Sequence, residues 1–298
     1  MRIAVTGTQG QLVRCLMDQA ALLSDVTLVA IGRPALDLAD GAAVEAALTA
    51  TEADLIINAA AYTAVDQAES ESDQAHAINR DGAAHVARAA NAMAVPVIQV
   101  STDYVFDGTS PRAYAPEDAT GPVSVYGASK LAGEIAVRHE TPRHIIVRTA
   151  WVYSAYGKNF VKTMLRLAAD RDELGVVDDQ IGNPTSAHDL ASGLLLVART
   201  ATQPGFKGWG TFHMAGQGDA SWADLAAHVL AESARLGGPT ALVKRIPGSS
   251  YKTPAPRPAN SRLDCGSTGE VFGYTAQDWR LSASQVVAAL LKSGTQAG

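Results

Sequence analysis

Ile3 to Thr6 are strand-forming residues that run into a turn punctuated by Gly7 and Gly10, and Leu12, Leu16, Ala20 and Leu23 follow at near-helical spacing. A strand, a glycine turn and a helix at the head of a chain constrain the rest of the fold. The helix carries the chain back to the edge from which a parallel strand must start. Short apolar runs recur at 26–31, 54–58, 95–101 and 144–148, separated by helical stretches at 41–50, 74–94 and 125–139. Strands alternating with helices predict an α/β fold, a doubly wound parallel sheet with right-handed crossovers. Past Trp151 the regularity fades into helices near 160–169, 187–198, 222–236 and 283–291, a short strand near 211–215, and turn-rich residues 178–185. The expected architecture is a dinucleotide-binding unit at 1–150 plus about 186–215, with a smaller, discontinuous α/β substrate unit at 151–185 and 216–298.

Composition excludes several classes of function. The 298 residues are 47% hydrophobic and 18% charged with a net charge of −6, so neither a disordered chain nor a basic nucleic-acid surface is expected. No apolar stretch approaches the roughly 18 residues of a membrane span, and a strand at the very start leaves no room for a signal peptide. The expected location is the cytoplasm, as a monomer or homodimer. Cys15 and Cys265 are the only cysteines, and the seven histidines show no zinc-binding spacing, so no metal site is predicted.

In a first βα turn, glycines let the backbone approach a pyrophosphate that rests on the helix N-terminus. Val13 stands where a third glycine often gives close helix-to-strand packing. Tyr126 and Lys130 lie four apart, on one face of a predicted helix, so a phenol and an ammonium can meet one ligand. Carbonyl reduction needs an acid to protonate the oxygen as charge develops there. Tyr126 suits that role if the Lys130 ammonium lowers its pKa, and Thr102 at a strand end is placed to orient the carbonyl. Alone, Tyr-x-x-x-Lys is an ordinary surface pair; the glycine turn and the chain order give it meaning. Arg33, directly after the second strand, offers a partner for a 2′-phosphate where an acid would hold a ribose hydroxyl, and so favours NADPH, with NADH use left open. Arg257 is a candidate for a diphosphate, since guanidinium pairs with phosphate oxygens in bidentate fashion. It lies in a loop at 247–260 with four prolines, read as a binding lid.

The motifs Gly10-Gln11-Leu12, Asn58 to Asp66, Ser101 to Gly108, Tyr126-Gly-Ala-Ser-Lys130 with Gly133-Glu134, Arg148 to Tyr153, Asn159-Phe160, Asp179 to Thr185 and Arg257 to Ser261 run in order through almost the whole chain. Together they resemble the dTDP-4-dehydrorhamnose reductase family of the extended short-chain dehydrogenase/reductases, a Rossmann-like fold. The resemblance implies NAD(P)H-dependent reduction of the 4-keto group of a dTDP-6-deoxy sugar. Residue by residue, it implies Tyr126 as proton donor, Lys130 on the nicotinamide ribose, and Thr102 completing the triad. It puts Gly10, Gln11 and Leu12 at the pyrophosphate, Asp37 and Leu38 at the adenosine side, and Ala61, Tyr62 and Thr63 at the middle of the dinucleotide. Thr102, Asp103 and Trp151 would contact the nucleotide-sugar. Some members of the family hold a divalent ion with acidic side chains near the first helix, where this chain has Val13-Arg14-Cys15.

Three other readings share the fold. An epimerase or 4,6-dehydratase would keep its NAD bound and return the hydride to the same sugar, and dehydratases of the superfamily carry an acid where Tyr104 stands, which counts against a dehydratase. A non-catalytic dinucleotide-binding subunit, similar to the methionine adenosyltransferase regulatory subunit, would bind NADPH without oxidising it. Another NADPH-dependent ketoreductase, of a different nucleotide-sugar or of a small ketone, would differ only in the substrate half.

Overall fold

The computed structural model, which describes residues 1–295, turns each apolar run into a strand of one six-stranded parallel sheet. In chain order the first half comprises β1 (Arg2–Thr6), α1 (Gln11–Ala21), β2 (Thr27–Ile31), α2 (Gly41–Thr49), β3 (Leu55–Asn58), α3 (Val65–Ala68), α4 (Ser72–His76), α5 (Gly82–Ala92), β4 (Val97–Thr102), α6 (Val125–Glu140) and β5 (His144–Thr149). The second half adds β6 (Val152–Tyr153), α7 (Phe160–Ala168), β7 (Glu173–Val177), β8 (Ile181–Gly182), β9 (Thr185–Ser186), α8 (Ala187–Ala201), β10 (Gly210–His213), β11 (Ala220–Ser221), α9 (Trp222–Arg235), β12 (Leu242–Ile246), β13 (Asn260–Ser261), α10 (Gly266–Phe272) and α11 (Trp279–Thr295).

The large sheet has the order β10-β5-β4-β3-β1-β2. A parallel sheet is covered on both faces, so its strands read as unbroken apolar runs rather than alternating ones. All four residues of β3 are buried. On one face Leu16 of α1 and Leu190 and Leu194 of α8 join Val5, Ile57, Ile98 and Val147 in one core. On the other, Val44 and Leu48 of α2 and Val86 of α5 cover Ala4, Ile56 and Val97. The chain leaves β1 for β2 on one side and returns to β3 on the other. That reversal opens a crevice beyond the carboxyl ends of β1 and β3, the place where open α/β sheets bind ligands.

A separate core gathers Val161 and Leu165 of α7, Leu225 and Val229 of α9, and Trp279 and Val287 of α11. Around it run a parallel pair, β7 with β12, and short ladders of β11-β8-β13 and β6-β9. Two differences from the expected elements are informative. The helix expected across 74–94 is broken by a π-helical turn, Ala77–Asp81. The β7/β12 pair was not anticipated. Among the described residues, no helix is long and apolar enough to cross a membrane.

Candidate active site

A cleft of about 950 Å³ lies at the crevice. It is lined by Gly7, Gly10, Gln11, Leu12, Arg33, Asp37, Leu38, Ala61, Thr63, Thr102, Asp103, Tyr126, Lys130 and Trp151, that is, by all the residues expected from sequence except Tyr62 and Arg257. Gly7 turns with φ +95°, a conformation that side chains resist. Val13 is buried beside it, and a Cβ on Gly7 would stand 3.4 Å from Val13 Cγ2. Gly10 is the N-cap of α1 without a side-chain cap, and the first turn carries no acid. The first N–H groups of α1 are therefore left for an anion, which fits the pyrophosphate of a dinucleotide.

At the chemical end of the cleft, Ser124 caps α6 by accepting from Gly127 N at 3.1 Å. A Cβ at Gly127 would stand 2.1 Å from the Tyr104 carbonyl oxygen, so only glycine lets the helix start flush against that turn. Tyr126 then meets Tyr104 edge to face, with ring centroids 5.5 Å apart. Thr102 accepts from Tyr104 N at 3.2 Å and donates its hydroxyl proton to Asp103 Oδ1 at 3.0 Å. Asp103 Oδ2 and Thr149 Oγ1, both buried in this lining, have no hydrogen-bond partner among the described residues. Burial pushes the Asp103 carboxyl up to about 6, with the nearby Ser261 and Thr102 hydroxyls pulling the other way.

The expected lowering of the Tyr126 pKa is corrected by the structure. Burial pushes this phenol above its ordinary value, offset only in part by Thr102. Lys130 is not among the groups that shift it, and its Nζ donates to the Val100 carbonyl at 2.8 Å. Burial brings Lys130 down to about 8, with the nearby Glu134 pulling the other way. Glu134 is itself buried and accepts from Arg148 Nε at 2.9 Å and Nη2 at 2.7 Å, from Ser101 Oγ at 2.6 Å, and from Arg138 at 3.0 Å. Burial alone would raise this carboxyl, yet Arg148 and the other donors hold it below its ordinary value. Lys130 thus stands one turn from a neutralised anion.

The two outliers face elsewhere. Tyr62 donates to Glu71 Oε2 at 2.8 Å, and its backbone is held by Asn79, whose Nδ2 also donates to Ser129 Oγ at 2.9 Å. Arg257 pairs with Asp66 at 2.9 Å and stands over the Tyr104 ring, 6.0 Å from its centroid. None of residues 247–260 lines the cleft. Trp151 is held at φ +49° and stacks on Trp222 with centroids 3.6 Å apart.

Sequence reasoning missed Thr149 and the Gly157-Lys158 pair, which also line the cleft. It missed Asn79 as well. Thr149 lies within the Arg148 to Tyr153 motif without being singled out there, and no local signal marks the others, because their placement depends on contacts between distant segments. Among the described residues no group of three or more His, Cys, Asp or Glu side chains is set to hold a metal ion.

A family model described as the RmlD substrate binding domain matches residues 1–292. A dTDP-4-dehydrorhamnose reductase of Sinorhizobium fredii is 48% identical over 298 residues, covering 100% of both chains. A crystal structure of a Clostridium acetobutylicum dTDP-4-dehydrorhamnose reductase superposes with a TM-score of 0.89 at 36% identity, over 98% of this chain and 100% of the other. The Bacillus anthracis dTDP-4-dehydrorhamnose reductase in complex with NADP gives a TM-score of 0.88 at 32% identity, over 97% and 99%.

Proposed function

The chain belongs to the RmlD family, and from that premise we propose that its cleft works as a dTDP-4-dehydrorhamnose reductase, reducing the 4-keto group of dTDP-6-deoxy-L-lyxo-4-hexulose to give dTDP-L-rhamnose. NAD(P)H, when bound, supplies the hydride. The observation that carries the reading is the meeting of Thr102, Tyr126 and Lys130 with an uncapped glycine turn in one cleft.

Tyr126 is the proton donor. Burial keeps its phenol protonated at working pH, so the proton is present when charge develops on the carbonyl oxygen. Lys130 is the residue that would hold the nicotinamide ribose, exchanging its bond to the Val100 carbonyl for one to the ligand. Thr102 orients the carbonyl, while Asp103 Oδ2 and Thr149 Oγ1 would take up sugar hydroxyls, since buried polar atoms without partners are costly unless a ligand satisfies them. Arg33 favours NADPH through its 2′-phosphate. The division into a dinucleotide unit at 1–150 plus about 186–215 and a substrate unit from the remainder is supported by the separation of the core under the large sheet from the core built by α7, α9 and α11. Arg257, on a loop fastened beside Tyr104, remains our candidate for the sugar-nucleotide diphosphate.

The test generates the keto sugar in place from dTDP-glucose with its dehydratase and 3,5-epimerase and follows NADPH absorbance. Substrate-dependent NADPH loss with dTDP-rhamnose appearing is the expected result. Tyr126→Phe should lower turnover by roughly 100-fold or more, the scale of a lost general acid, with NADP⁺ binding nearly intact. Turnover at the parent rate would remove Tyr126 from its role; NADPH binding without oxidation by the parent protein would favour a regulatory subunit.

A further inference from the structure

Residues 154–159 form a strap laid along the first turns of α1. Ser154 Oγ and Asn159 Nδ2 both donate to Gln11 Oε1, at 3.0 and 2.9 Å. Tyr156 donates to Asp18 Oδ2 at 2.8 Å, and the Arg14 guanidinium lies over its ring at 4.0 Å from the centroid. Gly157, at φ +61°, packs so closely that a Cβ there would stand 3.0 Å from Gln11 Cγ. The strap is thus held to three successive turns of the helix whose N-terminus faces the cleft. At its tip Lys158 is exposed, lines the cleft, and has no hydrogen bond or ion pair among the described residues.

Among the described residues three cationic side chains line the cleft, and two have other work. Arg33 stands at the end of β2, on the side assigned to the adenosine ribose. Lys130 is buried at the chemical end, bonded to the Val100 carbonyl. The glycine turn contributes backbone N–H groups but no charge of its own. A pyrophosphate carries two negative charges, more than the half-charge of a helix N-terminus offsets. We infer that Lys158 is a ligand of the cofactor pyrophosphate, delivered across the cleft by the strap instead of by the glycine turn. This rests on the dinucleotide reading of the cleft. It assigns cofactor binding to a residue from beyond β5, in the half that otherwise faces the sugar. The attachment of the strap to Gln11, Arg14 and Asp18 sets Lys158 beside the first turns of α1, the helix whose N-terminus faces the cleft.

Calorimetric titration of the whole protein with two probes tests the assignment: NADP⁺, which has the pyrophosphate, and adenosine 2′-monophosphate, which lacks it. Lys158→Ala should weaken NADP⁺ roughly five- to tenfold, the loss of one partly solvated charge-assisted hydrogen bond, and leave adenosine 2′-monophosphate unchanged. Lys158→Arg should restore most of the NADP⁺ affinity, and Lys158→Glu should weaken it beyond Ala. The gap between parent and Lys158→Ala should narrow as salt rises from about 0.05 to 0.5 M, because an exposed ion pair is screened. In turnover, the loss should fall on the NADPH KM more than on kcat. NADP⁺ binding by Lys158→Ala at parent strength overturns the inference, as does an equal loss for both probes, which would mean a displaced strap. A parent protein that does not bind NADP⁺ at all would remove the dinucleotide reading and this inference with it.

Discussion

The Lys130 ammonium sits in a buried position with one carbonyl for a partner, and burial holds its pKa near 8 instead of the ordinary 10.5. The form that can hold a ribose hydroxyl by charge-assisted hydrogen bonds is the protonated one. It is present below about pH 8 and is lost as pH rises through that value. The kcat/KM for NADPH, which reports the free enzyme, should therefore fall about tenfold per pH unit on the alkaline side, with an apparent pKa near 8. A profile flat to about pH 9.5 would show that the ammonium is not neutralised in the free protein, and would remove burial as the dominant effect on it. Tyr126 gives no limb in this range, because burial moves its phenol in the opposite direction, upward. The spacing of Tyr126 and Lys130 was legible as a shared helix face, and both line the cleft. The direction of the Tyr126 shift was not, because spacing reports proximity along a helix and says nothing of desolvation or of the Val100 carbonyl that diverts the ammonium.

The π-helical turn Ala77–Asp81 interrupts a stretch whose helical spacing carries straight through it, and it places Asn79 in the interior. From there Asn79 accepts from Tyr62 N at 2.8 Å and donates to the Tyr62 carbonyl at 3.1 Å and to Ser129 Oγ at 2.9 Å. One amide thus ties the cleft loop carrying Ala61 and Thr63 to the helix carrying Tyr126. A Cβ at Gly133 would come 2.1 Å from the Asn79 carbonyl oxygen, so α6 has a glycine where the bulge presses on it. Replacing Asn79 with Ala leaves the Tyr62 N–H without its partner and should cost about 2–3 kcal/mol, measured by urea denaturation. A loss below about 0.5 kcal/mol would mean that water replaces the amide and that the bulge is not what orders the loop. The strands of the large sheet were legible because burial on both faces writes them as continuous apolar runs. The β7/β12 pair was not: in β7 Glu173 and Gly175 are exposed, and in β12 no residue is fully buried, so each becomes a strand through the other.

Across the whole molecule, two fastenings join residues too distant in sequence for local patterns to reveal. The strap at 154–159 is one; the loop at 247–260 is the other. Asp66, in α3, accepts from Ala255 N at 3.2 Å and from Arg257 Nη2 at 2.9 Å. The Arg257 and Asp66 side chains are 24% and 42% exposed, so their ion pair contributes at most about 1 kcal/mol, enough to bias a loop without locking it. That predicts a clasp that opens readily. Asp66→Ala should speed tryptic cleavage after the exposed Lys252 roughly three- to fivefold, since local opening is what admits the protease. Arg257→Ala should speed it similarly. The two variants should part company in turnover. Without Arg257 the KM for the nucleotide-sugar should rise by roughly tenfold, as expected for a lost guanidinium–phosphate contact, while Asp66→Ala keeps the guanidinium and should change that KM by less than about threefold. Equal rises in both variants would assign the effect to loop anchoring and end the case for Arg257 as a diphosphate ligand. A rise confined to Arg257→Ala would make the clasp a holding position, in which Asp66 occupies the guanidinium until the diphosphate arrives to compete for it.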